Sequence, residues 1–197
     1  MLLTAGFAES GAGRISANLE NYLSAGTQAR RFWIGCAPVS VRQEIAQVYA
    51  KRGYQPIWVD ENGLLDAGSQ FIKTVGKAGR HGLLPDDYYH GCLAEWHKRL
   101  TSRELGRFDG RNLAAMDIMI SHAFFKYADH LAHGKVDPLS VYSSEVIEYP
   151  EKNKTEKILG FLADIKTPGD LRQALQALAP SGPGYKAATA EAARLQK

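Results

Sequence analysis

The chain has 197 residues, 45% of them apolar and 23% charged, with a formal net charge of +3 and two cysteines. That balance excludes a disordered polymer and suits one domain, or one domain with a small appendage. No run of five like charges and no basic stripe interleaved with aromatics supports a nucleic-acid partner. No apolar stretch approaches the roughly 20 residues of a membrane span. The opening "MLLTAGFAES" has an apolar patch but no basic n-region, so it reads at most as the stub of a signal peptide.

Residues 1–39 read as an extension with a first helix. Ser40 followed by Gln43 is a capping-box start, since each side chain can satisfy an orphan backbone N–H. Val41, Ile45, Val48 and Tyr49 then share one helical face, and Gly53 ends that helix. Pro56 pushes Gln55 toward extended geometry. Ile57 to Val59 read as a short extended piece, and the following "ENG" as a turn. Asp66 or Ser69 can cap the next helix. Phe71, Ile72, Val75 and Ala78 form its stripe, and Gly79 or Gly82 stops it. Pro85 suits a first helical position, and Asp86 and Asp87 suit the positive end of the helix dipole. Leu93, Trp96 and Leu100 continue that helix.

Asp109 can cap the longest helix, which should reach about Ala132. Leu113, Met116, Ile120, Phe124, Tyr127 and Leu131 step by three and four, while Ile118 and Phe125 lie off that stripe. A helix apolar over most of its circumference packs on several sides, so this one should be central. Gly134 and Pro138 end it. After a polar connector, Ile158, Leu159 and Leu162 mark another helix, "TPGD" a turn, and Leu171, Ala174, Leu175 and Leu178 the next helix. "APSGPGY" breaks the chain. "KAATAEAARLQK" then favours helix but is almost bare of large apolar residues, so it should pack little. The predicted fold is all-α: a compact multi-helix domain around helix 109–132, with at most a very short strand pair. The extension spans 1–39, the helical domain 40–180 and the terminal helix 181–197.

Several residues invite a chemical reading. "HGC" at 90–92 suggests a Cys–His enzyme, but His90 and Cys92 are two apart, which on a helix turns them about 200° from each other. The plainer reading is a buried cysteine in a helix's first turns. Cys36 and Cys92 together can form one bridge or stay as thiols, and burial as small hydrophobes favours thiols. His122, Asp129 and His133 share a face of the long helix, with His130 nearby. Their seven-residue gap spans about 10 Å, too far for converging metal ligands. Histidines at a helix C-terminus are also welcome as positive charge. Asp86 and Asp87 are dipole partners rather than an acid–base pair. Trp96 reads as core, whereas Trp58 suits a sugar platform and a core position equally. The residues alone thus describe a helical domain without a visible catalytic apparatus.

Three segments, in order, carry a resemblance. "VYAKRGYQPIWVDENGLL" holds Tyr49, Arg52, Pro56 and Trp58. "AGRHGLLPDDYY" holds Ala78, His81, Gly82, Leu83, Pro85, Asp87 and Tyr88. "DIMISHAFFKYADHLAHGKVDP" ends in Gly134, Val136, Asp137 and Pro138. The set resembles the N-terminal scaffold domain of the large periplasmic murein L,D-transpeptidases, over about residues 40–190. The closing "LAPSGPGYKAATAEAARLQ" is similar to the segment that leads onward there, with Ala where the family carries leucines. In that family the chemistry belongs to a later domain, whose cysteine lies in an SHGCxR setting. "HGC" at 90–92 lacks the preceding Ser, with Tyr89 in its place, and lacks the Arg, so the catalytic role is not carried onto Cys92. The resemblance implies a non-catalytic scaffold of a peptidoglycan cross-linking protein in the periplasm. It implies no cofactor and no metal, and as partner either peptidoglycan or a catalytic domain. The quoted motif residues would be structural. The competing readings are a small standalone Cys/His-dependent enzyme and a generic helical interaction module.

Overall fold

Eight α-helices, two short antiparallel ladders and two 3-10 turns make up the described residues of the computed structural model, namely 11–24, 31–34, 37–40, 43–101, 109–135 and 153–195. The all-α expectation holds. No helix among the described residues is long and apolar enough to cross a membrane.

The axis is α5 (Gly110–His133), as its all-round apolar pattern requires. Asp109 takes the N-cap in extended geometry, and its carboxylate accepts from the Arg111 amide at 3.0 Å. That satisfies one of the orphan donors of the first turn. Every residue from Leu113 to Ser121 is buried. Such a rod needs cover on several sides, and it has it. Helix α1 (Gly11–Ser24) lays Ile15 and Leu19 against it, while α6 (Asn153–Asp164) and α7 (Pro168–Leu178) close other flanks. Thr167 caps α7 through a full capping box with Asp170, so "TPGD" is a helix start as well as a turn.

The ladder β1 (Arg31–Ile34) with β2 (Ala37–Ser40) pairs Arg31 with Ser40 and Phe32 with Val39. This corrects the expected capping box. Ser40 is the last residue of a strand, and α2 (Gln43–Lys51) begins at Gln43 itself. Ile45, Val48 and Tyr49 are buried as their spacing predicts, while Val41 lies outside the described residues. The second ladder, β3 (Val59–Asp60) with β4 (Gly63–Leu64), turns within the expected "ENG" turn, so the described residues hold two strand pairs where at most one very short pair was expected.

Helix α3 (Asp66–Val75) is capped by Leu65, with no side-chain cap bond. Asp66 stands in its first turn instead of capping it. The helix also stops earlier than expected, at Gly76 rather than Gly79 or Gly82. Ala78 continues the buried face from a separate 3-10 turn, Ala78–His81, which Gly82 ends at φ 71°. That left-handed geometry suits glycine. Pro85 opens a second 3-10 turn, Pro85–Tyr88, not the long helix expected of it. Tyr89, at φ 58°, breaks the path, and α4 (His90–Thr101) starts after it. Helix α8 (Pro183–Leu195) closes the described chain.

Aromatic rings bind these parts into one core. Trp58, Phe71 and Phe124 lie 5.7–5.8 Å apart, centroid to centroid. Phe71 continues to Tyr127 at 6.3 Å, and Tyr127 to Tyr88 at 5.1 Å, edge on. Full burial of a side chain like Phe124 stabilises by about 1.5–3 kcal/mol.

Candidate functional site

The most organised polar structure of the molecule lies inside the core, and Asp117 is its centre. Asp117 projects from the middle of α5 and is fully buried. Three consecutive amides of the bend that leads into β3 donate to its carboxylate: Ile57 at 3.0 Å, Trp58 at 2.7 Å and Val59 at 3.1 Å. The Tyr49 hydroxyl of α2 donates to it as well. With that proton committed, Ser121 donates to the Tyr49 oxygen at 2.6 Å, and the Trp58 indole N–H donates to Ser121 at 2.8 Å. The bonds therefore run one way, from Trp58 through Ser121 and Tyr49 to the carboxylate, so each polarises the next. Burial pushes the Asp117 carboxyl up to about 6, against the pull of its four donors. Burial first, and then the Asp117 charge, hold the Tyr49 hydroxyl well above its ordinary value.

Pro56 explains why those amides are free to be used. It keeps Gln55 out of helical geometry. The chain then bends at Ile57 and Trp58 before β3 begins at Val59. Three successive N–H groups therefore turn toward one point instead of alternating as they would in the short extended piece expected over 57–59. Arg52 secures the same segment by donating to the Pro56 carbonyl at 3.4 Å and to the Ala163 carbonyl at the end of α6. Trp58 is fully buried, so it is a core residue and not a sugar platform. Tyr49, Arg52, Pro56 and Trp58 thus converge on one anchor. Asp117 and Ser121, which hold the anchor together, escaped the sequence reading. The available signal was a single carboxylate within the apolar run "LAAMDIMI".

A second convergence forms at the corner of residues 78–89. Leu83 is buried and its amide donates to the Ala78 carbonyl at 3.2 Å. His81 bonds through Nδ1 to the Tyr185 hydroxyl of α8 at 2.6 Å, with the two rings stacked 6.0 Å apart. The terminal helix therefore docks through one aromatic side chain despite its shortage of leucines. Tyr88 bonds to His130 Nδ1 at 2.9 Å. Asp87 meets Lys135 at 2.6 Å through its carboxylate and Lys126 at 2.9 Å through its carbonyl. The carboxylate of Asp87 thus serves the end of α5 rather than a helix dipole. Gly134 ends α5 at φ 85°, while Asp137 and Pro138 lie outside the described residues.

The candidate chemistry disperses. Cys92 is disulfide-bonded, which corrects the expectation of a buried thiol. It is only half-buried, so the packing argument for a free thiol does not apply to it. The other cysteine of the sequence, Cys36, lies outside the described residues. His90 packs on the end of α3, where a Cβ on Gly76 would come within 2.7 Å of its Nε2. His133 bonds to Asp129 at 2.8 Å, His130 to Tyr88, and the His122 ring faces Tyr89 at 5.7 Å. Among the described residues no three His, Cys, Asp or Glu side chains group as metal ligands. Trp96 is partly buried against the core.

The family model described as Scaffold domain matches residues 43–191. The chain belongs to the Scaffold domain family. That membership is consistent with the resemblance to the scaffold domain of L,D-transpeptidases. No curated protein and no solved structure matches the chain. The Scaffold domain match begins at the first residue of α2 and ends within α8, so it spans both the Asp117 anchor and the His81–Tyr185 corner.

Proposed function

We propose that this Scaffold domain is the non-catalytic bracing part of an L,D-transpeptidase-type protein that cross-links peptidoglycan in the periplasm. The observation that carries the reading is how its motif residues are used. Tyr49 and Trp58 spend their polar atoms on internal bonds around Asp117, Arg52 donates to the Pro56 and Ala163 carbonyls, and His81 and Tyr88 bond to α8 and α5. Groups committed in this way hold a shape; they do not turn over a substrate. The disulfide on Cys92 supports an oxidising compartment. It also leaves Cys92 without the thiolate that nucleophilic attack requires. The domain's partner is peptidoglycan or the catalytic domain it braces.

Co-sedimentation with purified sacculi and a pull-down with an L,D-transpeptidase catalytic domain test this directly. Binding to either supports the proposal, and binding to neither removes it in favour of a generic helical module. Incubation with stem-peptide donors should leave no acyl adduct by mass spectrometry. A stable adduct on Cys92, abolished by Cys92→Ser, would instead establish a standalone enzyme.

A further inference from the structure

We propose that the open cleft between α3, α5 and α7 binds a carboxylate carried on a short apolar chain. The cleft encloses about 260 Å³. That is just under the roughly 300–1,000 Å³ of drug-sized sites, so its ligand is the size of one or two amino-acid residues. Leu131, Leu171 and Leu175 give it an apolar floor. Arg172 and His81 stand among its lining residues, and no Asp or Glu does. Arg172 makes no ion pair and no hydrogen bond among the described residues, so its guanidinium remains available to an anion.

The second observation is Tyr127. It lines the cleft and is only 1% exposed, yet its hydroxyl has no hydrogen-bond partner among the described residues. The hydroxyl is not sealed from solvent, so its accessible edge opens onto the cleft that Tyr127 lines, where a ligand oxygen can meet it. Burial raises its pKa far above the ordinary range, so it stays protonated and can donate. His81 adds a third donor. In the tautomer in which Tyr185 donates to Nδ1, the neutral ring carries its proton on Nε2 and can donate it to a ligand. Three donors, one of them a fixed cation, select an anion with two acceptor oxygens, and the leucine floor selects its apolar tail. None of this depends on the proposed cell-wall role.

Two sources share that chemistry: a free aliphatic acid and the C-terminal residue of a peptide. Backbone NMR titrations of the whole chain with 4-methylpentanoate and with N-acetyl-Ala-Leu separate them. The C-terminal amide of the same dipeptide is the control. Shifts should centre on His81, Tyr127, Leu171 and Arg172, with the amide failing to bind. Binding of the dipeptide alone assigns a peptide C-terminus, and binding of the aliphatic acid assigns a free carboxylate. Arg172→Gln, on the surface, should weaken binding about tenfold. Tyr127→Phe, which keeps the ring in place, should weaken it about threefold or more. The inference is overturned if neither acid binds at millimolar concentration, if the amide binds as well as the acid, or if both variants bind like the parent.

Discussion

Asp117 and His81 both fasten pieces of chain that lie far apart in sequence, but in opposite settings. Asp117 is sealed within the core and serves four donors at once. His81 is half-exposed, and its one hydrogen bond reaches a helix that otherwise touches little of the domain. A sealed polar centre is an all-or-nothing device: satisfied, it fixes one arrangement, and broken, it strands every partner in a dry interior. A half-exposed bond trades with water, so its loss costs little and its region stays adjustable. The domain is thus rigid where α2, the 57–59 segment and α5 meet, and adjustable where α8 docks.

The sharpest way to break that contrast is Asp117→Ala. It leaves three buried amides without an acceptor, at about 1–3 kcal/mol for each stranded group, while the Tyr49 hydroxyl keeps the backbone carbonyl of residue 117 at 3.1 Å. The expected loss in urea unfolding is on the order of 5 kcal/mol, enough to unfold a domain of ordinary stability. A loss below about 2 kcal/mol, outside the range for even two stranded groups, would mean that water reaches the centre. Phe124→Ala comes next. It removes a fully buried ring from the Trp58–Phe71 cluster, and the cavity should cost about 3–5 kcal/mol in the same measurement. Unlike the first change it strands no polar group, so the Asp117 network should survive it.

A third test uses protons. Burial holds the Asp117 carboxyl at about 6, whereas the unfolded chain titrates it near 3.8. Between those values the folded state keeps a proton that the unfolded state has released. Stability from this group is therefore present in full below pH 3.8 and is lost as pH rises to about 6. The span corresponds to about 3 kcal/mol. Asp117→Asn cannot titrate, so the stability difference between parent and variant should change across that window and stay flat above it. A difference that is flat from pH 4 to 7 would show that the four donors, not burial, set the carboxyl.

What could be read from the sequence follows the reach of the forces involved. Helix α5 was legible from its N-cap to within a residue of its end, because capping and periodicity are local. So were the buried faces of α2 (Ile45, Val48 and Tyr49) and α3 and the turn at "ENG". The anchor was half legible. Tyr49, Arg52, Pro56 and Trp58 stood out as a resemblance, but nothing local says that the amides of a bend will meet Asp117 from a helix some sixty residues on. The break at Tyr89 was hidden for another reason. A non-glycine residue in left-handed geometry carries no composition signal, so Pro85 and Leu93 read as one helix when they are two elements. The Cys92 bridge was missed because cysteine count alone leaves pairing open.

The smallest expected effect sharpens the contrast most. Tyr185→Phe deletes only the hydroxyl that meets His81. It should cost about 0.5–1 kcal/mol of global stability, close to the limit of unfolding measurements. Local exchange will show it more clearly: amides of α8 should lose hydrogen-exchange protection while those of Leu113–Ser121 keep theirs. Acid should do the same to the parent. Burial, and then the neighbouring Arg80 charge, lower the His81 pKa below its ordinary 6.5. Below 6.5 the unfolded or undocked ring takes a proton more readily than the docked one. The contribution of His81 is therefore present above that value and is lost as pH falls through the lowered one. His130, beneath Tyr88, is lowered in the same sense, first by burial and then by Lys126. Between about pH 6 and 4 the two fastenings should consequently move in opposite directions, with α8 loosening while the Asp117 centre tightens. Exchange measured at several pH values, corrected for intrinsic rates, reads both at once. If α8 and α5 gain or lose protection together, the domain is one cooperative unit, and the division into a rigid and an adjustable region is wrong.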